Sequence, residues 1–299
     1  MSFGYSIVKL ILKLKKVKKS WSQDPIDYVK KRKDDIHVPK KRLVRGKNVK
    51  TLKVDKSIVQ IINPYTIQKD QVTIYFHGGG FVCGPTKENW QFISKIVSST
   101  NSAGWLVDYP KAPEHTIDII TENAYKVYLE ALKSYDGSNI VLIGDSAGGN
   151  LILTLVQRLI KEKLTPPAKV IPITPVMDAS LTNPKIKEKD AKDLILGIKG
   201  VLSANKMCAG SYALTNPIIS PLYGSFESFP PIYLFLATDD ILAPDQEVFI
   251  DILKKNMIPL EVILGNNMPH VWPLLPVMPE SKNALGKIVS IINSCRTDG

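Results

Sequence analysis

The stretch Gly144-Asp145-Ser146-Ala147-Gly148 offers the residue types for covalent chemistry. Residues 140–143 before it are all apolar, and residues 151–159 after it carry apolar positions at helical spacing. The serine therefore falls on a sharp turn from a buried strand into a helix, where a hydroxyl projects from the strand end and the first amides of the helix face an incoming anion. Small residues at 144 and 148 allow strand and helix to pass close together. That is the setting of an activated nucleophile for acyl transfer. Upstream, Phe76-His77-Gly78-Gly79-Gly80-Phe81 follows another apolar strand directly. Three consecutive glycines cost chain entropy and add no packing. Their use is a backbone that approaches a reacting group closely, with amides that stabilise a developing alkoxide. His77 reads as a positioning residue for that loop rather than a proton carrier.

A serine nucleophile needs a base, and the base needs an orienting acid. The chain has four histidines, His37, His77, His115 and His270. In the order serine, acid, histidine, only His270 follows Ser146. It stands in Met268-Pro269-His270-Val271-Trp272, just after an apolar run at 260–264. The acid is expected at the end of a strand between the two, and the strand at 232–237 leads into Thr238-Asp239-Asp240. Spacing leaves both Asp239 and Asp240 open, while Asp245 reads as a cap of the following helix. Asp145 reads as a cap of the helix after the serine.

The elements that must hold these groups are legible in outline. Strands are predicted at 57–62, 72–76, 104–108, 139–143, 170–174, 232–237 and 260–264. Helices are predicted at 87–99, 117–134, 147–163, 246–256 and 281–294. Alternating strands and helices imply an α/β fold with a mostly parallel sheet covered on both faces. Residues 178–230 interrupt the alternation and are expected to carry a partly helical cap. At the start, Ile7, Leu10, Leu14 and Val17 recur at helical spacing among lysines, which predicts a short amphipathic helix. Through about residue 45 the segment stays charged and helical in character. It is expected to dock as a second cap element or to lie on a membrane surface.

The chain has 299 residues and a formal charge of +11, but the excess is local. Residues 1–50 carry 16 Lys/Arg against 4 Asp/Glu, and the remaining 249 carry 23 against 24. The neutral body and the lack of a recognition module exclude nucleic acid as the expected partner. Three widely spaced cysteines, Cys83, Cys208 and Cys295, suggest a reducing compartment. Residues 5–14 are too short and too charged for a membrane span or a signal peptide, so the expectation is a cytoplasmic protein. No metal-ligand spacing appears, and no metal or organic cofactor is expected.

The motifs together resemble the hormone-sensitive-lipase-like branch of the α/β-hydrolases. They are His77-Gly-Gly-Gly80, Tyr109-Pro-Lys-Ala-Pro-Glu-His115, Gly144-Asp-Ser-Ala-Gly-Gly149, Thr174-Pro-Val-Met-Asp178, Ser220-Pro-Leu222, Asp240-Ile-Leu242 and Met268-Pro-His270. The resemblance spans residues 74 to about 275. It implies an α/β-hydrolase with a helical cap, and a carboxylesterase in which Ser146, Asp240 and His270 are the triad. It selects Asp240 over Asp239, and it implies that Gly79, Gly80 and Ala147 form the oxyanion hole. It also implies that residues 1–50 and about 178–215 form a cap on a catalytic body spanning 51–299. Glu114 and Asp178 fit family motifs but read equally as loop hydrogen-bonding residues. Phe81, Trp90, Tyr212 and Trp272 lie near the motifs and are candidates for the substrate pocket. A covered pocket predicts small, soluble acyl esters rather than long-chain lipids. Amide hydrolysis on the same machinery is the first rival, and a peripheral membrane lipase recruited by residues 1–20 is another. A sheet edge or cap face leaves room for a homodimer.

Overall fold

The computed structural model describes residues 2–64 and 70–294. Its frame is one eight-stranded sheet in the order β1-β2-β4-β3-β5-β6-β7-β8. The strands are β1 (Lys47–Val54), β2 (Ser57–Pro64), β3 (Val72–Phe76), β4 (Ala103–Asp108), β5 (Ile140–Asp145), β6 (Lys169–Ile173), β7 (Ile232–Ala237) and β8 (Leu260–Gly265). The pairs β1/β2 and β2/β4 are antiparallel, and all others are parallel. The α/β fold with a mostly parallel central sheet is therefore as expected.

The helices are α1 (Phe3–Leu14), α2 (Val17–Ser20), α3 (Tyr28–Lys31), α4 (Lys87–Thr100), α5 (Ile117–Leu132), α6 (Ala147–Lys161), α7 (Ile186–Asp190), α8 (Ile198–Ala209), α9 (Ala243–Lys255) and α10 (Pro279–Asn293). Alternate residues of a strand face opposite sides, and the buried central strand β5 shows the consequence. Ile140 and Leu142 join the core that holds α5, α6 and α9. Val141 and Ile143 join the opposite core, which holds α4, α10 and the inner face of α1. A strand buried on both faces has no polar alternation, which is why 140–143 reads as an uninterrupted apolar run.

One strand was not expected: β1 (Lys47–Val54) lies between the charged segment, read through about residue 45, and the first predicted strand at 57–62. It is an edge strand, and Lys47, Lys50 and Lys53 along it mask the strand pattern. Lysines on an edge also discourage pairing with another chain. Between β6 and β7 the chain makes its long excursion through α7 and α8. Among the described residues no helix is long and apolar enough to cross a membrane.

Candidate active site

Ser146 is the residue that ends β5 and starts α6, with φ 52° and ψ −117°. A non-glycine residue in that region is strained, so neighbouring contacts must hold it there. Its amide donates to Ile173 O at 2.9 Å, and its carbonyl accepts from Val176 N at 3.3 Å. The glycines around it leave no room for a side chain. A Cβ on Gly148 would sit 1.9 Å from Phe76 O, and one on Gly144 would sit 2.3 Å from Gly148 O. The turn thus wedges α6 against β3, and this contact brings the glycine loop after β3 beside the serine.

In that loop Gly79 and Gly80 have φ 120° and 59°. Among the described residues, no group accepts a hydrogen bond from the amide of Gly79, Gly80 or Ala147. His77 is fully buried and stacks on Tyr109 with ring centroids 4.5 Å apart. Its Nδ1 lies 2.6 Å from Gly78 O. Burial pulls its imidazole down to about 3, so the ring stays neutral. Asp145 does not cap α6. One of its oxygens accepts from Tyr75 Oη and from Gly78 N at 2.9 Å, tying the two loops together. Burial raises this carboxyl to about 6 despite those bonds.

His270 and Asp240 are both buried, and His270 Nδ1 lies 2.7 Å from Asp240 Oδ2. Asp240 Oδ1 accepts from Leu242 N at 2.8 Å, which fixes the carboxylate at the end of β7. Burial pulls the His270 imidazole down. Asp240, followed by Asp193 and Asp145, more than offsets this and raises it above the ordinary value. The structure therefore pairs His270 with Asp240, and Asp239 is left with its amide bonded to Met268 O. Asp245 sits inside the first turn of α9 rather than at its cap and accepts from Asn183.

Ser146 and His270 line one cavity of about 130 Å³ together with Gly79, Gly80 and Asp145. Its remaining wall is apolar apart from Asn205: Trp21, Val176, Ile195, Leu196, Val201, Ala204, Leu242 and Val271. None of the four aromatics expected at the pocket is among them. Phe81, Trp90 and Trp272 are core residues, Trp90 donating to Ile36 O at 2.7 Å, while Tyr212 is exposed. The aromatic that does reach the cavity is Trp21, at the end of α2, under the ammonium of Lys31 at 3.6 Å from the ring centroid. No motif surrounds Trp21, so only folding reveals it.

Asp193 is a second residue that spacing did not reveal. It is buried in the excursion, and its Oδ1 accepts from Ile195 N and Leu196 N, both at 2.8 Å. Its Oδ2 accepts from Ile241 N at 3.0 Å, next to Asp240. Burial, and then the charge of Asp240, raise this carboxyl to about 7. Glu114 and Asp178 take loop roles. Glu114 pairs with Arg32 at 2.7 Å, and Asp178 accepts from Tyr223 Oη at 2.9 Å.

Residues 73–274 match a family described as having the alpha/beta hydrolase fold. The chain is 26% identical over 234 residues to an esterase of Acinetobacter venetianus, covering 76% of each. A solved candidate esterase from Staphylococcus aureus superposes with a TM-score of 0.81 at 30% identity over 85% of both chains. A solved esterase of the bacterial hormone-sensitive lipase family gives a TM-score of 0.80 at 26% identity, covering 84% of this chain and 85% of that one. The chain belongs to the α/β-hydrolase fold family and, within it, to the hormone-sensitive-lipase-like esterases.

Proposed function

We propose that this carboxylic-ester hydrolase acts through Ser146, with His270 as its base and Asp240 as the orienting acid. Ser146 Oγ attacks the ester carbonyl while His270 takes its proton. Asp240 fixes the tautomer that leaves the other ring nitrogen free to accept, and it stabilises the imidazolium that forms. The amides of Gly79, Gly80 and Ala147 receive the negative oxygen of the tetrahedral intermediate. His270 then protonates the leaving alkoxide, and in the second half it activates the water that hydrolyses the acyl-enzyme. The reading is carried by one observation: Ser146, His270 and the two glycines share the wall of a single cavity.

The segment before β1 and residues 178–215 act as a two-part cap on this body. In support, Trp21 from the first part and Ile195, Leu196, Val201, Ala204 and Asn205 from the second line the cavity. The two parts pack closely, because a Cβ on Gly200 would lie 2.1 Å from Trp21 O. Buried, unpaired Cys83 and Cys208 fit the reducing conditions of a cytoplasm, whereas Cys295 lies outside the described residues. The substrate is a small-molecule ester whose acyl group is short.

The direct test is active-site labelling with a fluorophosphonate probe on the wild type, Ser146→Ala and His270→Ala. Labelling is expected to vanish in Ser146→Ala and to slow by orders of magnitude in His270→Ala. Undiminished labelling of Ser146→Ala would move the nucleophile elsewhere.

A further inference from the structure

A helix at the surface of a domain ordinarily has one apolar stripe, and that stripe is buried. Helix α1 has two. Its inner stripe buries Tyr5 and Val8 against the sheet's helices. It is held down where the amide and hydroxyl of Ser2 donate to the Glu280 carboxylate at 2.9 and 2.7 Å. On the opposite face Phe3, Ile7, Leu10, Ile11 and Leu14 are all exposed, Phe3 by 83%, Leu14 by 71% and Leu10 by 57%. At 100° per residue those five positions fall within one side of the cylinder. Val277, itself 73% exposed, extends the apolar surface beside the first turn, where a Cβ on Gly4 would meet Val277 O at 2.5 Å.

The charge that α1 and the residues just after it carry has one sign. Residues 2–23 contain six lysines, and the first acidic residue is Asp24. Lys13, Lys15, Lys16 and Lys19 are exposed. We propose that the outer face of α1 and the lysines that follow it dock this enzyme on an anionic lipid surface. The helix lies in the plane of the interface, its leucines, isoleucine side chains and Phe3 enter the acyl boundary, and its lysines reach phosphate groups. A second copy of the chain is a poor occupant of the same face. It would bring two lysine clusters within a Debye length of about 8–10 Å, and they would repel. The proposal goes beyond ester hydrolysis, and no residue of α1 lines the catalytic cavity.

The test is co-sedimentation of the full chain with phosphatidylcholine vesicles, with and without about one third phosphatidylglycerol, alongside hydrolysis of p-nitrophenyl butyrate in free solution. The wild type is expected to sediment with the anionic vesicles, to stay in solution with the zwitterionic ones, and to bind less in 0.5 M salt. The double variants Leu10→Ser with Leu14→Ser, and Lys15→Glu with Lys16→Glu, are each expected to lower binding by at least about tenfold. Their turnover of dissolved ester should match the wild type, which separates loss of docking from failure of the hydrolase reading. Three results would overturn the proposal. One is a wild type that ignores anionic vesicles, an arm that holds even if a variant fails to fold. Another is a pair of variants that bind as tightly as the wild type. The third is a wild-type dimer, blind to lipid, that the leucine substitutions split into monomers in sedimentation velocity.

Discussion

The imidazole of His270 works between opposed influences. Burial favours its neutral form, and the charges of Asp240, Asp193 and Asp145 favour its charged form. The carboxylates win, so under the proposed mechanism the imidazole is neutral and able to accept the Ser146 proton only above the ordinary value of 6.5. The acidic limb of kcat/KM against pH is therefore expected above pH 6.5, because that limb reports the free enzyme's base. Asp193 contributes to this placement while also bonding three amides, two in the cap and one beside Asp240. Asp193→Asn removes the charge that Asp193 carries as pH rises through about 7, and it turns an amide donor toward Ile241 N–H. The acidic limb should then move to lower pH, and stability should fall by about 1–3 kcal/mol. A purely structural Asp193 would lower stability and leave the limb where it was. At Asp240 the expected loss from Asp240→Asn is larger, on the order of 10⁴ in kcat, since the wrong imidazole tautomer is then held.

At the scale of elements, the decisive contact is backbone against backbone where α6 crosses β3. Gly148 has its Cα against Phe76 O, and the space for a methyl group does not exist. Gly148→Ala must push α6 away from the sheet, move Ser146 off its turn and open the glycine loop. The cost is expected to be at least about 3 kcal/mol, the upper range of overpacking. Urea denaturation read by fluorescence checks it, and a variant as stable as the wild type would show that the helix can shift freely. The same logic governs the meeting of the cap parts, where Gly197 and Gly200 of the excursion receive Ser22 and Trp21.

The whole molecule determines the substrate. A cavity of about 130 Å³ is smaller than the roughly 300–1,000 Å³ of pockets for drug-sized ligands. It suits an acetyl or butyryl group far better than a sixteen-carbon chain. p-Nitrophenyl butyrate should accordingly be hydrolysed at least about tenfold faster, in kcat/KM, than the palmitate. Preference for palmitate would contradict a closed acyl site. Trp21 lines the cavity from the proposed cap, and if it limits the acyl group, Trp21→Ala should shift the optimum toward longer acyl chains. Because that indole also packs at Gly80, with a Cβ there only 3.1 Å from its Cζ3, some loss of turnover on acetate is expected too.

The sequence alone determined the features that depend on local chemistry. Strand period, the glycines at 144 and 148 and the three-glycine loop each satisfy a backbone requirement that few other residues can meet. His270 was legible because no other histidine follows Ser146. Tertiary structure alone decided what depends on distant segments meeting. Spacing could not separate Asp239 from Asp240, since two adjacent carboxylates at a strand end differ only in which one faces the imidazole that follows β8; the family resemblance favoured Asp240, and the fold pairs it with His270. The aromatics nearest the motifs, Phe81, Trp90 and Trp272, went to the core because burying their large apolar area stabilises the sheet packing. The cavity wall instead came from Trp21 and the excursion, more than fifty residues from the glycine loop on either side. β1 was hidden because an edge strand half in water needs no apolar alternation. The two faces of α1 look alike in sequence, and only docking on the domain shows which one is left over.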